Sequence, residues 1–133
     1  MPNSGLKRTY TFGLCNDEMF FAGTTSGDVC IFNIKSALFK ATMPMTTHGC
    51  LSGVINGDTF FVGGGDGKVK RVALTDGEWT LTHEAQLEGR VCSIDLSSDK
   101  QELLCGTSNG QIYRVLTDEL SFVKLDQNTL VAA

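Results

Sequence analysis

One stretch of this chain recurs three times. "FFAGTTSGDVCIFN" from Phe20, "FFVGGGDGKVKRVA" from Phe60 and "LLCGTSNGQIYRVL" from Leu103 align without a gap. Each reads as two bulky apolar residues, a small one, Gly, three turn-type residues, Gly, one polar residue and a β-branched residue. The second glycines, Gly27, Gly67 and Gly110, lie 40 and 43 residues apart. Self-similarity at such a period marks one structural unit repeated.

Each unit divides into strands. A first strand precedes a polar turn: "TYTFGL", "CLSGVI" and "VCSIDL". The second ends at Gly23, Gly63 or Gly106 and is apolar nearly throughout, which predicts cover on both faces. A third follows the turn ("VCIFNI", "VKRVAL", "IYRVL"), and "ALFKATM", "EWTLTHE" and "LSFVKL" supply a fourth. Nothing sustains a helical period.

Four short strands per unit of about 40 to 45 residues is the period of a WD40-type β-propeller. A four-stranded blade has two apolar faces and buries them only by stacking on other blades. The expected fold is therefore all-β: a partial propeller of about three four-stranded antiparallel blades. They cover 6–43, 49–85 and 91–125, and a tail follows at 126–133.

The run from Phe60 to Lys70, "FFVGGGDGKVK", resembles a phosphate-binding loop at first sight. A P-loop needs G-x-x-x-x-G-K-[ST]. Here Val62 stands at the first glycine and Val69 where the Mg²⁺-ligating hydroxyl belongs. A G-x-G-x-x-G fingerprint from Gly63 ends on Lys68, and the loop opens a strand rather than a helix. The repeats give the simpler reading. Ser26-Gly27, Asp66-Gly67 and Asn109-Gly110 are hairpin turns, in which a short polar residue bonds nearby backbone and Gly takes a positive φ. Val at Gly27, Gly67 or Gly110 is then expected to cost about 1 kcal/mol or more, and Val at Lys100 little.

Other chemistry is thinly represented. A net charge of −4 offers no general polyanion footprint, and the cluster Lys68, Lys70 and Arg71 reads as a solvated strand face. Neither nucleic acid nor membrane is implied. No apolar run reaches the roughly 18 residues of a membrane span, and "MPNSGLKRTY" has no secretory h-region, which predicts a cytosolic setting. Five cysteines without a C-x-x-C pair (Cys15, Cys30, Cys50, Cys92, Cys105) read as small buried thiols. His48 with Cys50 lacks two further ligands at metal-site spacing. A Cys–His nucleophile built on His83 and Cys92 stays open on sequence alone, whereas Cys105 fills the core slot of Ala22 and Val62. No catalytic, metal or cofactor-binding constellation is predicted, and none of these residues calls for a cofactor.

The three segments resemble the WD40 repeat, with Asp66-Gly67 matching its Asp-Gly turn best. The Trp-Asp pair is replaced by Phe32-Asn33, Val72-Ala73 and Val115-Leu116, so the repeats are divergent. "AGTTSGDVCIFNIKSALF", "GDTFFVGGGDGKV" and "QLEGRVCSIDLSSDKQELLCGTSNGQIYRV" resemble, in order, segments of the cilia- and flagella-associated protein 52 family, also called WD-repeat protein 16. The likeness extends to about Leu125. It implies a non-enzymatic structural protein of the ciliary or flagellar axoneme, in the cytoplasm and cytoskeleton. The implied partners are tubulin and the inner-junction proteins inside doublet microtubules. A general WD40 scaffold of a cytosolic multiprotein complex is the alternative; an enzyme is disfavoured, because propeller active sites draw residues from most blades.

Three blades do not close a ring, since rings take roughly four to eight. Blade faces at 9–43 and 91–125 are therefore expected to be open, to be covered by missing blades, by partners or by a second copy.

Overall fold

Twelve strands follow one another in the computed structural model, which describes residues 8–125. The expected tail at 126–133 and the first two residues of the 6–43 blade lie outside the described residues. The first sheet holds β1 (Tyr10–Cys15), β2 (Met19–Thr24), β3 (Asp28–Asn33) and β4 (Phe39–Pro44). The central one holds β5 (Cys50–Asn56), β6 (Thr59–Gly64), β7 (Lys68–Thr75) and β8 (Glu78–Gln86). The third holds β9 (Val91–Leu96), β10 (Glu102–Thr107), β11 (Ile112–Leu116) and β12 (Phe122–Lys124). Within each sheet the strands lie in chain order, and every paired neighbour is antiparallel.

The repeat extends to detail that the sequence does not display. Each first strand skips one residue of register against its second strand, at Thr11, Leu51 and Cys92. Such bulges sharpen the local twist of a strand.

The blades stack face to face, and two cores fill the gaps. Between the first and central blades lie Phe21, Val29, Ile31 and Met45 with Phe60, Val62 and Val72. Trp79 packs against both sides, with its ring 4.9 Å from Phe21 and 5.6 Å from Phe60. Between the central and third blades lie Phe61, Val69 and Ala85 with Val91, Leu103, Cys105, Tyr113 and Val115. Period-two alternation sends the first bulky residue of each repeat toward the preceding blade and the second toward the following one.

The expectation of cover on both faces holds only for β6. In β2 Phe20 is 39% exposed, and in β10 Leu104 is 50% exposed, although their neighbours Phe21 and Leu103 are fully buried. These strands belong to the first and third blades, and among the described residues one face of each has no blade beside it.

Candidate interaction surfaces

The turns join the second and third strands of each blade and share one geometry. The N–H groups of Gly27, Gly67 and Gly110 donate to the carbonyls of Thr24, Gly64 and Thr107 at 3.1–3.2 Å. The three glycines have φ of 103°, 84° and 82°. Short polar side chains close the loops: Asp66 Oδ1 accepts from Lys68 N at 3.1 Å, and Asn109 Oδ1 accepts from Thr107 Oγ1 at 2.6 Å. Ser26 is exposed at the first turn, where Thr24 Oγ1 instead accepts from Asp28 N at 3.3 Å.

The turns also hold the chain between blades. Gly27 O accepts from Met45 N and Thr46 N, and Gly67 O accepts from Leu87 N, at 2.8–3.0 Å. A Cβ on Gly27 would overlap the Thr46 carbonyl oxygen; on Gly67 it would lie 2.8 Å from the Leu87 and Gly89 oxygens. On Gly110 it would meet no atom within 4 Å. The two further glycines of the central loop have a packing reason too. Gly65 N donates to Gly49 O at 2.9 Å, and a Cβ on Gly65 would overlap His48 O, so the backbones there nearly touch.

Two sequence expectations need correction. Lys100 is exposed, but its φ of 65° lies in the left-handed region, so Val there is strained rather than neutral. The basic cluster is not simply a solvated face. Lys68 and Lys70 both approach Glu84, at 3.6 and 4.0 Å, and the Lys70 side chain is only 16% exposed. Arg71 Nε crosses the gap to the third blade and donates to Thr117 O at 3.0 Å.

The cysteines divide by position. Cys30, Cys50 and Cys105 are buried, whereas Cys15 and Cys92 are exposed, and all five are free thiols. Burial pushes the Cys50 thiol up to about 11 and the Cys105 thiol up to about 12, so both stay protonated at neutral pH and are poor nucleophiles. His48 Nδ1 lies 2.8 Å from Thr47 Oγ1. Exposed His83 sits opposite Arg71 in the β7–β8 ladder, on a different blade from Cys92. Among the described residues no three His, Cys, Asp or Glu side chains gather as metal ligands would.

What remains is surface. A cleft of about 590 Å³ opens between the first and central blades, with Met19, Met43 and Trp79 lining it beside Glu18, Asp58 and Glu78. The outer face of the first blade carries an aromatic row, Phe20–Phe32–Phe39, with centroids 6.2 and 5.6 Å apart. It borders a groove of about 450 Å³ lined by Tyr10, Phe12, Gly13 and Ala22 as well. The outer face of the third blade presents Leu104, Leu116 and Val123 around an Arg114–Glu102 pair bonded at 2.6 and 2.7 Å. That these residues line the outer faces follows from the alternation and the pairing register.

Three four-stranded meanders packed face to face make this a partial WD40-type β-propeller. The crystal structure of the Myceliophteria thermophila Cps50 (Swd1) β-propeller domain matches it with a TM-score of 0.76 at 16% identity, over 90% of this chain and 39% of that one. No protein-family model matches the sequence. Cilia- and flagella-associated protein 52 of mouse is 31% identical over 107 residues, and that of cattle is 31% identical over 111 residues. These alignments cover 77% and 79% of this chain but only 17% of either relative. The chain is a partial β-propeller of divergent repeats, similar over most of its length to a short part of cilia- and flagella-associated protein 52.

Proposed function

We propose that the chain is a non-enzymatic scaffold of the motile cilium or flagellum, acting within or beside the axoneme through protein–protein contacts. The observation that carries this reading is its 31% identity to two proteins named for cilia and flagella, on a propeller fold. Buried, protonated thiols and apolar blade faces support a binding role over a chemical one. In its finer form, the protein lies inside doublet microtubules and its partners are tubulin and inner-junction proteins. Ser26, Gly27, Asp66, Gly67, Asn109 and Gly110 then have an architectural role, holding the blade hairpins.

Endogenous tagging in a ciliated cell tests the reading. Signal along the axoneme that survives detergent extraction, with tubulin recovered after cross-linking, is the expected result. Signal confined to the cytosol would sink it. The short span of the match, 17% of each relative, is what favours a general WD40 scaffold instead. That reading gains if affinity purification returns a cytosolic complex without axonemal proteins.

A further inference from the structure

The two boundaries between blades repeat each other, and at one equivalent place they differ. Between the central and third blades, Arg71 Nε donates to Thr117 O at 3.0 Å and Arg71 Nη1 donates to Thr82 Oγ1 at 2.9 Å. That side chain fills the gap. What remains is a dent of about 220 Å³, lined by Asn56, Arg71, Lys100, Thr117 and Asp118.

The same place between the first and central blades is the open cleft of about 590 Å³. Both of its walls are blades of the described residues. Asn16 lines it as Asn56 lines the dent, one repeat of 40 residues later. Ile31 stands where Arg71 stands, since it pairs with Phe21 as Arg71 pairs with Phe61. Leu74 stands where Thr117 stands: their N–H groups donate to Asp58 O and Gln101 O. In the outer strand pair Ala41 faces Ile31, whereas His83 faces Arg71. Smaller side chains occupy both positions, and Ile31 has no donor to send across the boundary.

The charge of the two places differs as well. The filled one holds two cations, Arg71 and Lys100, beside Asp118. The open one holds three carboxylates, Glu18, Asp58 and Glu78, against the single cation Lys40. All four of these groups are exposed, and among the described residues none makes an ion pair or a side-chain hydrogen bond. Met19, Met43 and the half-buried Trp79 supply apolar wall beside them.

We infer that the cleft receives an arginine from an extended segment of a partner protein, in place of the one the chain supplies at its other boundary. The arginine stem lies along Met19, Met43 and Trp79, and its guanidinium is held among the Glu18, Asp58 and Glu78 carboxylates. A guanidinium suits this mixed wall better than an ammonium, because its plane stacks on an aromatic ring while its edge donates to several acceptors. Such a socket gives the proposed scaffold a class of partner, basic protein segments, and rests on that reading whatever the cellular address.

Trp79 is the single tryptophan of the chain, so its fluorescence reports the cleft directly. The full chain is titrated with a pool of capped heptapeptides that hold arginine at the centre and leucine, serine or glycine elsewhere. A matched pool carries citrulline instead, which keeps the shape and removes the charge. A saturable Trp79 change is expected with the arginine pool, reduced by salt and about tenfold weaker with citrulline. Combining Glu18→Gln, Asp58→Asn and Glu78→Gln, all at exposed sites, is expected to weaken arginine binding about tenfold with the melting midpoint nearly unchanged. Ile31→Arg sets an arginine in the cleft from within and is expected to abolish the response; should that buried site not tolerate it, the carboxylate variant decides. No Trp79 response to the arginine pool, an equal response to citrulline, or full arginine binding by the carboxylate variant would each overturn the inference. Arginine binding by a protein that tagging confines to the cytosol would remove the ciliary reading and leave the socket, and a silent cleft in an axonemal protein would do the reverse.

Discussion

The Phe21 ring lies 4.7 Å from that of Phe60, tilted by 42°, across the boundary between the first two blades. Phe20, one residue earlier, points to the opposite side of the same sheet and is partly in water. Adjacent phenylalanines of one strand thus carry very different burial. Phe21→Ala removes a fully enclosed ring and is expected to cost about 3–5 kcal/mol in urea unfolding. Phe20→Ala in dilute, monomeric protein is expected to cost about 1 kcal/mol or less. Equal losses would mean that the blades do not stack in the order described.

The turn glycines should respond in graded fashion. Gly27→Ala meets both an unfavourable φ and the Thr46 carbonyl, so it is expected to be the most damaging, at about 3 kcal/mol or more. Gly67→Ala is intermediate. Gly110→Ala, with open space around the new methyl, is expected to lose only the backbone term of about 1 kcal/mol. Thermal melts of the three variants give the order directly.

Ser52 and Ser93 occupy equivalent positions, but only Ser52 lies between two blades of the chain. Ser52→Ala leaves the Val91 carbonyl without that donor in a buried setting and is expected to cost about 1–2 kcal/mol. Ser93→Ala in dilute protein is expected to change the melting midpoint little. Differential scanning fluorimetry of the pair is sufficient.

Alkaline pH should weaken the fold through its buried thiols. Cys50 and Cys105 have folded-state values raised from 9.0 to about 11 and about 12. Between pH 9 and those values the unfolded chain releases protons that the folded chain retains, so stability falls as pH rises. The stabilising difference is complete below pH 9. Melting midpoints from pH 7 to 11 are expected to decline above 9, and Cys105→Ala is expected to flatten the decline even though its midpoint at pH 7 is lower. A slope unchanged by that substitution would assign the loss to other groups.

Much of the architecture was legible because the repeat, the turns and the strand alternation are local properties written three times. The Gly-bearing turns and the fully buried Cys105 follow from the aligned segments. Less legible were contacts made by approach of distant backbone. Gly64 and Gly65 looked like variation within one loop, yet the strand linker at Thr46–His48 lies against them. Lys100 looked like an ordinary surface residue, because nothing in a lysine announces a left-handed φ. Arg71 looked solvated, since its acceptor, the Thr117 carbonyl, is 46 residues away.

The amino-acid sequence alone determined the unit: four antiparallel strands, a period of 40 to 43 residues and a polar-Gly hairpin. These depend on alternation and on backbone preferences that act within a few residues. The tertiary structure decided which apolar face is covered. Phe20 and Phe60 are the same residue at the same repeat position, and one is 39% exposed while the other is fully buried. Burial is a property of what stands alongside, and among the described residues no blade stands against the outer face of the first.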